Sequence, residues 1–286
     1  MSRIAYVNGR YVPYAHASVH IEDRGYQFAD GVYEVCEVRA GKLVDERRHM
    51  ERLVRSLGEL KIAMPMTLKS LGVVLRETIE RNRVQDGLVY LQITRGVARR
   101  DFVFPAEGTK PSIVAIARSK DRSKTESAAQ AGIAVVTTKD NRWDRVDIKT
   151  VGLLPNALAS QYAKEQGANE AWLIDRDGFV TEGSHSNAWM VTADKKIVTR
   201  PAEHGILRGI TRTVIFEVAK KLGHHIDERP FTLKEALNAK EAFNTSATQI
   251  VMPVVKIDGT VIGDGKPGEV ATALRARFYE IAEITG

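Results

Sequence analysis

Cysteine is nearly missing from this chain. Cys36 is the single one in 286 residues, which excludes an internal disulfide and a thiolate metal cage and fits a reducing compartment, the cytoplasm by default. Long apolar runs are missing too. None approaches the roughly 20 residues that span a bilayer, so a soluble chain with no membrane partner is expected. The seven histidines form neither an HExxH pattern nor a close Cys/His set, and no metal is expected. There is no GxSxG elbow, Walker loop or GxGxxG fingerprint, which removes the commonest hydrolases, nucleotidases and dinucleotide enzymes. Charge of one sign does not dominate either: 42 basic residues face 36 acidic ones, for a net charge of +6. Bases and acids interleave, as in Glu46, Arg47, Arg48, Glu51 and Arg52, in the manner of a solvated helix face. The one local excess is Arg95, Arg99 and Arg100. Three arginines in a loop suit a carboxylate or phosphate better than a duplex, so no nucleic-acid partner is expected.

What is present describes an ordinary globular protein, 43% hydrophobic and long enough for two domains. The start reads as a hairpin turning at Asn8-Gly9 rather than as a signal peptide. A polar stretch at 22–31 precedes a strand around Val32, Val35 and Val38. Met50, Leu53, Val54, Leu57 and Leu60 recur at helical steps, as do Leu68, Leu71, Leu75 and Ile79, which predicts two amphipathic helices. Strands are expected at 88–94 and 112–117. The charged, serine-containing stretch 118–127 reads as an interdomain connection, giving a smaller N-terminal domain over 1–120 and a larger C-terminal domain over 121–286. Beyond it the pattern predicts strands at 133–138, 170–174, 179–182, 188–191 and 241–244. Helices are expected at 156–166, 209–222 and 269–284, with a hairpin at Asp258-Gly259. Strands and helices that mix without strict alternation indicate an α+β fold.

Three places combine a turn with groups able to hold an anion. Gly209-Ile210-Thr211 opens a helix whose first N–H groups point outward, so a phosphate fits there, or Thr211 simply caps the helix. The run Asn244-Thr245-Ser246-Ala247-Thr248 offers hydroxyls and N–H groups after a strand, and it is equally a plain turn. Lys149 precedes an uncharged stretch and has the least polar neighbourhood of the lysines, although a lone lysine is normally solvated. Glu182 is ambiguous by itself.

Taken together these blocks resemble fold-type IV pyridoxal-phosphate enzymes, the branched-chain and D-amino-acid aminotransferase family, and look most like its D-amino-acid members. The pieces are EDRGYQFADGVYEV at 22–35, ERL at 51–53, TRG at 94–96, DIK at 147–149, VTEGSHSN at 180–187, LRGITR at 207–212 and TSAT at 245–248. Seven blocks in the family's order span nearly the whole chain. The resemblance implies a two-domain fold with a smaller N-terminal α/β domain and a barrel-like sheet in the larger C-terminal one. It implies that Lys149 forms the Schiff base with pyridoxal 5'-phosphate and shuttles the proton. Glu182 would pair with the pyridine nitrogen and Arg52 with the phosphate, whose other oxygens meet the N–H groups of Ile210, Thr211, Ser246 and Ala247. Tyr33 and Arg100 would stand at the substrate carboxylate.

The implied reaction is ping-pong transfer of an amino group from a D-amino acid to a 2-oxo acid, in a homodimer, with a side activity on (R)-amines. One departure bears on that last point. D-specific members carry arginine and histidine two residues apart, whereas here Arg100 is followed by Phe102, which donates no hydrogen bond. Either Phe102 weakens the carboxylate trap, or it turns into the loop core with Val103 and Phe104. Three other readings stay open on the same residues: a branched-chain L-aminotransferase, an aminodeoxychorismate lyase, and a silent binding protein of the same fold.

Overall fold

The computed structural model describes residues 3–203 and 205–286. The chain divides into two compact units. The first holds the residues up to Asp121 together with Ile148–Gly152 and Glu283–Gly286, and the second holds Arg122–Asp147 and Leu153–Ala282.

In the first unit, β1 (Ile4–Val7) and β2 (Arg10–Pro13) meet at Asn8 and Gly9, whose φ values of 46° and 93° make the tight turn that an Asn-Gly pair favours. The stretch read as a polar loop contains a short helix, α1 (Arg24–Phe28), because the Asp23 carboxylate accepts from the Gly25 N–H and caps it. Then come β3 (Gly31–Arg39), β4 (Lys42–Val44), α2 (Glu46–Glu59), α3 (Leu68–Arg81), β5 (Gly87–Thr94) and β6 (Ser112–Ser119). The strands form a seven-stranded antiparallel sheet whose outer member beside β4 is the C-terminal pair Ile284–Thr285. Alternation along β3 sends Val32, Glu34, Cys36 and Val38 inward and leaves Tyr33, Val35 and Glu37 on the half-exposed face. The buried set packs with Met50, Leu53 and Leu57 of α2 and Leu71 and Leu75 of α3. β4 pairs with β3 only at Val38 and Arg39. The other end of that edge is taken by the segment around Lys149: Tyr33 donates its N–H to the Lys149 carbonyl at 3.0 Å, and Val151 donates to Gly31 at 3.1 Å.

The second unit begins with α4 (Arg122–Ala131), where a bare connection is expected from composition. The helix is thinly anchored, with Ala129 its buried residue and Glu126 paired with Arg275 at 2.9 Å. It continues through β7 (Ile133–Lys139), α5 (Leu154–Glu165), β8 (Glu170–Ile174), β9 (Val180–Gly183), β10 (Asn187–Val191), β11 (Ile197–Thr199), α6 (Ile210–Lys221), β12 (Ile226–Glu228), α7 (Leu233–Leu237), β13 (Glu241–Ser246), β14 (Ile250–Ile257), β15 (Thr260–Val261) and α8 (Glu269–Arg277). The strands make a mixed nine-stranded sheet, a curled half-barrel. β9 and β10 are buried at every position, as expected for strands covered on both faces. Trp172, Val180, Met190, Phe231, Met252 and Val254 fill its core. The last helix is shorter than its spacing predicts. It ends at Arg277 and passes through a 3₁₀ turn, because the Glu283 carbonyl accepts the Asp45 N–H at 2.7 Å and Ile284–Thr285 join β4.

Candidate active site

The first unit assembles Lys149, Tyr33 and Arg52. Lys149 is half-buried, its Nζ lies 4.2 Å from the centre of the Tyr33 ring, and its N–H reaches Ser56 Oγ at 3.4 Å. Ser56 sits one helical turn beyond Arg52 on α2, so the strand face and the helix locate the lysine from two sides. Tyr33 stacks on Tyr90 with ring centres 5.7 Å apart, and the Tyr90 hydroxyl donates to Gln92 at 2.7 Å. Burial and the neighbouring Tyr33 push the Tyr90 phenol up to about 12, so it stays protonated.

Arg52 is not an unengaged cation awaiting a ligand. Its Nε and one terminal nitrogen hold both oxygens of Glu34, at 2.8 and 2.7 Å, and His49 Nδ1 lies 2.7 Å from the same carboxylate. Burial opposes the charge on Glu34, yet Arg52 and His49 together hold its pKa down to about 2. Burial also depresses His49, so the neutral ring with Nδ1–H as donor fits the contact. Sequence reasoning passed over Glu34 and His49. A signal was available, because Glu34 occupies the inward parity of β3 and His49 precedes Arg52 by three residues.

The second unit holds Glu182, Ile210, Thr211, Ser246 and Ala247, while Arg100 belongs to the first. Glu182 is 5% exposed, accepts from Asn187 Nδ2 at 2.9 Å and from the Leu207 N–H at 3.2 Å, and pairs with Arg142. Arg142 also grips Asp140 through Nε at 2.9 Å and a terminal nitrogen at 2.7 Å. Burial pushes the Glu182 carboxyl above its ordinary range while Arg142 works against that rise. Asn187 ties the site together: its amide also donates to the Leu207 carbonyl at 2.9 Å, and it pairs with Thr245 across β10 and β13. A Cβ built on Gly209 would come within 2.2 Å of Asn187 Oδ1, so any other residue at this start of α6 must displace that amide.

Gly209, not Thr211, is the N-cap of α6, and it has no side chain to satisfy the first-turn N–H groups of Ile210 and Thr211. Buried polar atoms without a hydrogen-bond partner among the described residues include Ser246 Oγ, just before Ala247, and Arg212 Nε. An uncapped helix start and orphaned donors suit a phosphate, and a buried carboxylate suits a protonated ring nitrogen, so these residues fit pyridoxal phosphate. Arg100 is exposed, with its guanidinium 5.0 Å from the Phe28 ring and 5.9 Å from the Phe102 ring. Phe102 is 81% exposed, so it does not turn into a loop core with Val103 and Phe104.

The model of the amino-transferase class IV family matches residues 31–257. The chain belongs to that family. It is accordingly a pyridoxal-phosphate-dependent aminotransferase. It is 40% identical over 278 residues to D-alanine aminotransferase of Staphylococcus haemolyticus, covering 97% of both chains. With D-alanine aminotransferase of Bacillus licheniformis it shares 42% over 272 residues, 94% of each. Among solved structures it matches branched-chain amino acid aminotransferase of Escherichia coli with a TM-score of 0.90 at 23% identity, covering 98% of this chain and 95% of that one. The branched-chain aminotransferase of the thermophilic archaeon Thermoproteus uzoniensis, solved with norvaline, matches with a TM-score of 0.84 at 24% identity, over 98% and 94%. No helix among the described residues is long and apolar enough to cross a membrane.

Proposed function

We propose that this aminotransferase moves amino groups between D-amino acids and 2-oxo acids, for example from D-alanine to 2-oxoglutarate, giving pyruvate and D-glutamate. The observation that carries the choice is the near-complete alignment with D-alanine aminotransferases at 40% identity or close to it, against 22–25% for the branched-chain enzymes that share the fold. Pyridoxal phosphate, when bound, supplies an aldehyde that takes the amino group and a ring that accepts the electrons left on the substrate α-carbon. Lys149 holds it and moves a proton through Nζ, with the Tyr33 ring limiting where that nitrogen swings. Glu182 holds the proton on the ring nitrogen. Ile210, Thr211, Ser246 and Ala247 meet the phosphate, and Arg52 adds a positive charge fixed in place by Glu34. Tyr33 and Arg100 orient the substrate carboxylate. With Phe102 giving no second donor beside Arg100, a side activity on (R)-configured amines belongs to the same proposal.

A cytoplasmic homodimer completes it. Leu154, Leu158 and Tyr162 recur every four residues on α5 and are 70%, 57% and 40% exposed, an apolar stripe that a second copy would cover. Absorbance of the loaded enzyme tests the substrate assignment. D-Alanine should bleach the cofactor band and L-leucine should leave it. Bleaching by L-leucine alone would replace the proposal with a branched-chain one, and sedimentation as a monomer would remove the dimer.

A further inference from the structure

We propose that Phe28 is a positioning residue for substrate binding, its ring fixing the reach of Arg100; the inference rests on the reading of Arg100 as the group that meets the substrate carboxylate. The backbone on both sides of Arg100 is pinned. Asp23 and Val97 form a bridge, Ala98 donates to the Glu22 carbonyl at 3.3 Å, and Arg24 donates to the Asp101 carbonyl at 2.6 Å. What the anchors leave undetermined is the arginine's long side chain, which has many rotamers to lose before it can hold a ligand. The Phe28 ring narrows them. It lies within cation–π range of two guanidiniums, Arg24 at 4.6 Å and Arg100 at 5.0 Å.

Arg24 is itself tied down, to Asp30 at 2.8 Å and to the Asp101 carbonyl at 2.6 Å, so its guanidinium is fixed beside that ring. Asp30 in turn accepts two bonds from Arg95, at 2.7 and 2.9 Å, and the Arg95 guanidinium lies 3.7 Å from the Phe104 ring, so the far end of the loop is held as well. Phe102 completes the arrangement by meeting Phe28 edge-on at 5.6 Å. The ring that cannot donate to a carboxylate therefore buttresses the ring that aims the donor, which replaces a second hydrogen bond with preorganisation of the first.

Steady-state kinetics of the loaded enzyme with D-alanine and 2-oxoglutarate test this. Phe28→Leu should raise the KM for D-alanine about two- to fivefold, the size of an exposed cation–π contact, with kcat essentially unchanged. Phe28→Tyr, which keeps the ring, should restore the KM. In an Arg100→Ala background, Phe28→Leu should add nothing. A fall in kcat at constant KM, failure of Phe28→Tyr to rescue, or additive effects would overturn the proposal. If Phe28→Leu does not fold, Phe28→Met makes the same ring deletion with an unbranched side chain. Arg100→Ala separates the two readings: if it raises KM and Phe28→Leu does not, the inference about Phe28 alone falls, and if it leaves KM unchanged, the carboxylate reading falls and takes this inference with it.

Discussion

Glu34→Gln should destabilise the protein in a way that depends on pH, and the size follows from the charges around it. Glu34 titrates at about 2 in the fold against an ordinary 4.5. At about 1.4 kcal/mol per unit, that difference contributes roughly 3 kcal/mol at neutral pH. An independent route gives the same figure. Replacing the carboxylate with an amide leaves the Arg52 guanidinium buried without its counter-charge, and breaking a buried pair costs about 3–5 kcal/mol. Because the folded pKa is depressed, this stability is present above the unfolded value of 4.5 and is lost as pH falls toward 2. Urea unfolding of wild type and variant at neutral pH and near pH 3 measures it. The gap between them should be about 3 kcal/mol at neutral pH and less than half of that by about pH 3. A gap below about 1 kcal/mol at neutral pH, or one that does not narrow in acid, would refute the reasoning, since a mere packing defect has no titration.

Lys149→Ala should fold and lose most of the ~10⁶-fold or greater acceleration typical of enzymes; turnover within about tenfold of wild type would sink its assignment. Glu182→Gln should keep the cofactor band but slow proton removal in single-turnover mixing by about 100-fold, as for loss of one preorganised charged group, and an unchanged rate would leave Glu182 a structural residue. Gly209→Ala should push Asn187 away from Glu182 and weaken pyridoxal-phosphate binding about tenfold, the worth of a hydrogen bond to a charged group. Fluorescence titration of the unloaded protein reads this directly, and unaltered affinity would mean that the helix start accommodates a side chain.

Local pattern sufficed where one segment decides its own structure. The spacing of Leu68, Leu71, Leu75 and Ile79 marks out α3, with Thr67 accepting the Ser70 N–H as cap. Pattern failed where a distant partner decides. Val270, Leu274 and Phe278 continue a helical repeat toward Ile281, but the chain breaks it to place Ile284 and Thr285 opposite Val44 and Leu43. No local signal carries that pairing. The site divides in the same way. Periodicity leaves Lys149, Glu182 and Thr211 ambiguous, and it is the resemblance, block by block, that assigns them their proposed roles. Arg142 escaped both approaches, because it stands outside the seven blocks and its partner Glu182 lies 40 residues on.

Arg142 matters because a carboxylate meant to hold a proton on a ring nitrogen must remain charged without being neutralised. Buried alone, Glu182 would take the proton itself, since desolvation favours its neutral form. Arg142 opposes that, but a single guanidinium facing a single carboxylate would cancel the charge that the ring nitrogen needs. Asp140 resolves the conflict. It takes two of the guanidinium's bonds, at 2.9 and 2.7 Å, and is itself steadied by the Thr181 hydroxyl at 2.8 Å. Two carboxylates around one cation leave an excess negative charge in a setting where little water screens it. Asn187 and the Leu207 N–H direct one Glu182 oxygen, and Arg142 the other. Arg142 therefore works against the protonation that burial favours, and with Asn187 and the Leu207 N–H it fixes the orientation of the carboxylate that, on the proposed reading, meets the proton carried by the cofactor's ring nitrogen.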